Sequence, residues 1–209
     1  LERGLDACVP LIDRTEYPSS EYPLGQWEYQ AFYEESFDVA TGCFDTDPFA
    51  TIKALFRAGK PKPSGKTHVT ALVRKDGGWF GGAAKAPDVL LDDNVLTELD
   101  LQLYGSALKK NGFFGPCSYY MNHEKNAEYA SQEKNGGVLE MPVLFLPATY
   151  DYTCECIESN LAKPMMDFCN NRTTFKIDSG HWMAQEKPLE VNAALVRWLA
   201  AAAVEHWPS

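Results

Sequence analysis

Val143-Leu144-Phe145-Leu146 is an unbroken apolar run placed directly after Met141-Pro142. A strand that is apolar on both faces needs cover on both faces, which is the condition inside a parallel sheet. Thr173 to Ile177 is a second strand-like segment, rich in β-branched residues that suit a pleated surface. Cys156 to Cys169 has room for a crossover helix between the two. Beyond them Pro188 opens a helix that carries Leu195, Trp198, Leu199 and Ala202 on one face. Strand, helix, strand, helix is the pattern of a right-handed α/β crossover. Two parallel strands alone leave unpaired edges and bare apolar faces, so this pattern calls for neighbours.

The remainder of the 209 residues reads as helical. Trp27 to Glu35 starts an aromatic helix with Tyr29, Phe32 and Tyr33 at helical spacing. Asp45 to Ala58 repeats Phe49, Ile52, Leu55 and Phe56, with Asp47-Pro48 as N-cap and first helical residue. Thr97 to Lys110 carries Leu99, Leu103 and Leu108, and Asn111-Gly112 stops it. Cys117 to Gln132 reads as one further helix. Loops fall at Tyr17 to Gly25, at Gly59 to Lys66, which reads as a flexible connector, and at Asn135-Gly136-Gly137. No internal repeat is present, and the length fits one domain or two small ones.

Composition removes several functions. A net charge of −10 repels phosphate backbones, and Lys60, Lys62 and Lys66 are interleaved with Pro and Gly rather than gathered into a basic patch. Nucleic acid is therefore not an expected partner. No apolar run reaches the roughly 18 residues of a membrane span. The chain begins Leu1-Glu2-Arg3-Gly4 without a basic and apolar leader, which is read as processing or as further sequence upstream. The six cysteines include no C-x-x-C, and Cys154-x-Cys156 lacks a matching His or Cys pair nearby in sequence. They read as free thiols of a cytoplasmic protein, with no metal and no cofactor. The sequon at Asn171 is common by chance. An aromatic content of 12% fits an enzyme or binding protein with an aromatic-lined site.

The candidate chemistry lies at the strand ends. Asp151 follows the first strand in VLFLPATYD, and His181 follows the second in FKIDSGH. Loops converge at the carboxyl ends of parallel strands, so the two side chains can meet. The carboxylate would fix the imidazole tautomer and leave the far nitrogen as a base. A capping Asp and an unrelated loop His are the plain alternatives for each residue alone. Their shared position at successive strand ends singles them out.

The run DSGHWMAQEKPLEVNAALVRWL at 178–199 resembles the C-terminal end of soluble epoxide hydrolases of the α/β-hydrolase fold, with phrasing closest to fungal members. GFFGPCSYYMNHEKN at 112–126 and WEYQAFYEESF at 27–37 resemble the two segments in which that family carries its epoxide-holding tyrosines. The resemblance runs from about Cys8 to the C-terminus in family order. It implies an α/β fold, in part: a helical lid over 12–135, then the last parallel strands and the C-terminal helix, with 1–11 and 136–209 belonging to the core. It implies hydrolysis of a small apolar epoxide to a vicinal diol through a covalent ester. Tyr29 and Tyr120 match the lid tyrosines, Asp151 the charge-relay acid and His181 the general base. Trp182 reads as a substrate-binding wall or as core packing.

The residue types suit that chemistry. A strained ether needs its leaving oxygen stabilised, and two phenols aimed at one point do this without a metal. An ester intermediate splits one hard step into two. Core packing is the plain role for any single tyrosine, and Tyr33 and Tyr119 are left to it. One part of the family pattern is missing: the chain has no G-x-D-x-G, G-x-S-x-G or G-x-C-x-G elbow. A second polypeptide carrying the nucleophile, or self-association over the bare sheet edge near Ala7 to Leu11, is therefore expected. A truncated, non-catalytic binding module and a lid-based cyclase using Tyr, Asp and His are the alternatives. Haloalkane dehalogenase chemistry ranks below them, because it holds halide with Trp or Asn donors.

Overall fold

Local helix signals account for most of the first 135 residues. The computed structural model describes residues 8–63 and 65–203. The aromatic helix α1 spans Glu28–Glu35, and α2 spans Phe37–Thr46. Helix α3 spans Pro48–Leu55, and its Asp47 cap accepts from the Ala50 N–H at 3.0 Å. The short α4, Val69–Leu72, precedes α5, Glu98–Asn111. There Thr97 and Asp100 form a reciprocal capping box, and Gly112 at φ 73° ends the helix.

The segment from Cys117 to Gln132 is not one helix. It divides into α6 (Phe114–Ser118), a 3-10 turn (Tyr119–Met121) and α7 (His123–Ala130). Asn122 causes the break: its side-chain amide donates to the Ser118 carbonyl at 3.0 Å, competing with the backbone ladder. The strand expected at Ala7 to Leu11 does not form over its described part. Val9–Leu11 is a 3-10 turn, and Pro10 has no N–H to give to a ladder; Ala7 lies outside the described residues.

The strands β1 (Val143–Phe145) and β2 (Arg172–Thr174) pair in parallel, with Leu144 opposite Thr173. The ladder extends beyond them through Phe175 N–H to the Phe145 carbonyl (3.1 Å) and Ile177 N–H to the Pro147 carbonyl (3.0 Å). The crossover helix α8 spans Lys163–Phe168. Helices α9 (Met183–Glu186) and α10 (Pro188–Trp198) follow, and a π-helical turn (Leu199–Ala203) ends the described residues.

The buried core sits mainly in the helical part. Tyr29, Phe32, Tyr33, Phe44 and Phe113 form one cluster, and Ile52, Val95, Leu96 and Leu101 form another. The β1 side chains are only half-buried. Along α10, Leu189, Leu195 and Val196 are exposed; of the expected apolar face, Leu195 and Leu199 are exposed while Trp198 is half-buried.

Candidate active site

The parallel pairing of β1 and β2 carries their following loops side by side. Thr149 N–H donates to the Ile177 carbonyl at 3.0 Å and Tyr150 N–H to the Ser179 carbonyl at 2.9 Å. These bonds set Asp151 next to His181, with Oδ2 and Nδ1 3.0 Å apart. The other carboxylate oxygen accepts from the N–H groups of Thr153 (3.2 Å) and Cys154 (3.1 Å). Burial works to raise the Asp151 pKa, but the bond and charge of His181 and these two amides outweigh it and hold the value below that of an ordinary aspartate. The hydrogen bond to Asp151 raises His181 above an ordinary histidine, with burial acting against it. An ionised carboxylate accepts only, so Nδ1 carries the shared proton and Nε2 is the free nitrogen. The His181 side chain is 50% exposed and that of Asp151 is 14%.

Tyr29 and Tyr120 converge from α1 and from the turn after α6. Their rings meet edge to face at 5.5 Å between centroids. Burial pushes both phenols up, which keeps them in the donor form. Gln30 Nε2 donates to the Tyr29 oxygen at 3.0 Å. The pair of tyrosines and the Asp151–His181 pair line one open cleft of about 840 Å³.

Trp182 has two attachments. Its indole N–H donates to the Leu55 carbonyl at 3.0 Å, and its ring stacks on Phe56 at 3.8 Å. It therefore joins the His181 loop to the end of α3 while also lining the cleft.

The sequence reading passed over several cleft residues. Tyr33, left to packing, is buried and stacks flat on Tyr120 at 4.7 Å and 5°. Tyr119, also left to packing, is instead exposed and so is not part of the core. Trp79 and Phe80 line the cleft from a loop whose Gly77, Gly78, Gly81 and Gly82 all have positive φ. Two aromatics framed by glycine pairs were the available signal. His68 also lines the cleft; its Nδ1 lies 2.8 Å from Thr70 Oγ1, and burial with the Lys62 charge lowers it to about 4.

The Gly59 to Lys66 connector is anchored rather than loose at its described positions. Gly59 N–H donates to Glu186 Oε2 at 3.1 Å, and the same oxygen accepts from Gly180 N–H at 2.8 Å. Lys62 N–H donates to the Tyr152 hydroxyl at 2.9 Å. Lys62 Nζ also pairs with Glu16. Trp27 makes one more tie, donating to the Thr153 carbonyl at 3.1 Å beside Asp151.

No family model matches the chain. Among curated proteins, the bifunctional epoxide hydrolase 2 of Sus scrofa is 30% identical over 175 residues, 83% of this chain and 29% of that protein. Among solved structures, epoxide hydrolase A of Mycobacterium thermoresistibile aligns with a TM-score of 0.62 at 24% identity, covering 83% of this chain and 52% of that one. An epoxide hydrolase of Vigna radiata aligns with a TM-score of 0.60 at 19% identity, covering 95% and 56%. None of the three is fungal. The chain spans less than a third of this curated relative and about half of the aligned structures. Over most of its length the chain resembles epoxide hydrolases, and its helices and two parallel strands are part of their α/β-hydrolase fold.

Proposed function

We propose that the chain supplies the lid and the acid–base half of an epoxide hydrolase acting on a small apolar epoxide. In this reading residues 12–135 are the lid, while 1–11 and 136–209 belong to the core. The Asp nucleophile lies outside the 209 residues, since no elbow motif occurs within them. The nucleophile's carboxylate attacks a ring carbon, the C–O bond breaks, and Tyr29 and Tyr120 hydrogen-bond the departing oxygen and return a proton to it. Water then attacks the ester carbonyl while His181 takes its proton, steadied by Asp151. The tetrahedral intermediate expels the diol oxygen, which takes the proton held by His181, and the proton released as the nucleophile returns to its carboxylate goes back to the tyrosine phenolate. Trp182 walls the substrate.

One observation carries the reading: two tyrosines in edge-to-face ring contact share a cleft with a hydrogen-bonded Asp–His pair. Core packing accounts for either tyrosine alone but does not require both to line the cleft of the Asp–His pair. The open face of α10 and the half-buried β1 support a further part of the same proposal: more polypeptide, or a second copy, covers this edge. The cytoplasmic setting and the kinship to fungal members belong to the proposal as well.

The test is a single turnover in heavy-oxygen water, with the chain joined to a segment carrying an Asp elbow. An ester route gives diol free of the label, because the first oxygen transferred is the nucleophile's own. Diol labelled in the first turnover removes the ester route. Epoxide binding with no turnover in the joined protein favours the binding-module alternative.

A further inference from the structure

Cys154 lies three residues beyond Asp151, and the turn between them is held by the Asp151 carboxylate accepting the Thr153 and Cys154 amides. This turn brings the thiol back to the Asp–His pair. One ligand atom from each of Asp151, Cys154 and His181 lies within 4.8 Å of the other two. In the sequence Cys154 has no partner at metal-ligand spacing; the crossover supplies one by bringing His181 across from the loop after β2. We propose that Asp151, Cys154 and His181 form a binding site for one divalent cation of the zinc class, and that its occupation takes the Asp–His pair out of proton transfer.

The donor set selects the cation. Imidazole nitrogen, thiolate sulfur and carboxylate oxygen are the ligands of zinc, and three of them leave a fourth position open. Magnesium and calcium want six or more oxygens and find one carboxylate here. Zinc bonds of roughly 2.0–2.3 Å set tetrahedral ligand atoms about 3.3–3.8 Å apart. His181 and Asp151 already stand at 3.0 Å, so closing the group around an ion needs side-chain shifts of about 1 Å, estimated from those bond lengths. Charge also balances, because a carboxylate and a thiolate together neutralise a dication. Loss of solvent around the sulfur and the Asp151 charge push the thiol up to about 12. A dication reverses the second effect and displaces the thiol proton to solvent. The two amides on Asp151 act as outer partners that fix the carboxylate, and the half-exposed His181 gives the ion a way in.

With Nδ1 on the ion, the neutral ring carries its proton on Nε2 and has no lone pair there to act as a base, and a shared carboxylate no longer steadies an imidazolium. This consequence rests on the base role proposed above; binding itself does not. Cys154 does not line the cleft, so its replacement leaves the cleft wall intact.

The experiment titrates the chelator-stripped chain with Cd²⁺, then with Zn²⁺, and needs no epoxide. The expected result is a Cd–thiolate charge-transfer band that saturates at one equivalent. Cys154→Ser should abolish the band and weaken Zn²⁺ binding about tenfold or more by calorimetry. His181→Gln should weaken Zn²⁺ binding by a comparable factor, and Cys156→Ser should leave band and affinity unchanged. A band that survives Cys154→Ser, a band lost in Cys156→Ser, or Zn²⁺ affinity indifferent to His181→Gln overturns the site. Should Cys154→Ser fail to fold, the Co²⁺ spectrum of the unaltered chain decides: intense tetrahedral bands with a thiolate transition support the site, and a weak octahedral spectrum overturns it.

Discussion

Gly59 and Gly180 meet backbone to backbone: a Cβ added to Gly180 would stand 2.6 Å from the Gly59 Cα. Glu186 Oε2 accepts both of their N–H groups. The residue before His181 is thus fastened to the first residue of the connector, and no side chain fits between them. Gly180→Ala should cost about 1–3 kcal/mol of stability through overpacking. It should also spread the two loops and loosen the Asp151–His181 contact. A urea unfolding midpoint equal to that of the unaltered chain would contradict this account. Glu186→Gln retains one acceptor of the same shape, so it should destabilise less than Gly180→Ala.

Asp151→Asn tests the base. The amide keeps the volume but no longer stabilises an imidazolium, and it can orient the ring in the wrong tautomer. In the protein completed with its nucleophile, ester hydrolysis should fall about a hundredfold or more while ester formation changes little, so the covalent intermediate should accumulate. Mass spectrometry of the quenched enzyme measures the ester. Unchanged turnover would show that Asp151 has no part in the base.

His68 sets a pH dependence of stability. Its folded pKa is lowered from 6.5 to about 4 by burial and by Lys62, with Asp151 and Glu16 acting the other way and His181 adding to the lowering. The unfolded chain therefore binds this proton more readily than the folded one. Stability from this group rises with pH between about 4 and 6.5 and is flat outside that window. His68→Gln should flatten the curve there, read as the difference in urea midpoint between variant and parent across the window. Two parallel curves would mean that His68 does not titrate differently on folding.

What the sequence revealed was local, or followed from strand order. Asp47-Pro48 capped a helix as written, and the end of α5 followed Asn111-Gly112, because caps act within one turn of chain. The adjacency of Asp151 and His181 was legible because parallel strands carry their following loops together. The break at Asn122 was hidden because helical periodicity does not register a side chain that takes a carbonyl four residues back. The strand near Ala7 to Leu11 was expected from the resemblance alone, and Pro10, which gives no N–H to a ladder, stands in a 3-10 turn instead. The Gly59–Gly180 contact, the Lys62–Tyr152 bond and the return of Cys154 to His181 join distant segments or depend on a turn's exact path, and no periodicity encodes them.

The tyrosines separate the enzymatic reading from plain packing. Tyr29 is buried, its oxygen accepts from Gln30, and its ring lies against Trp79 and Tyr120. Tyr120 is held flat against Tyr33. Tyr29→Phe and Tyr120→Phe each remove one hydroxyl and leave the ring contacts in place. If the phenols serve the departing epoxide oxygen, each change should lower the rate of ester formation about a hundredfold, near 3 kcal/mol, in the nucleophile-completed protein. The double change should lower it further. Stability should fall by no more than about 1 kcal/mol, the usual net worth of a hydrogen bond, since the bond lost at Tyr29 is the one from Gln30. Tyr33→Phe is the control: its ring packs against the same neighbours, and its loss should change the rate far less. Equal and small rate effects for Tyr29, Tyr120 and Tyr33 would return all three to the aromatic core and leave the cleft as a binding site without epoxide chemistry.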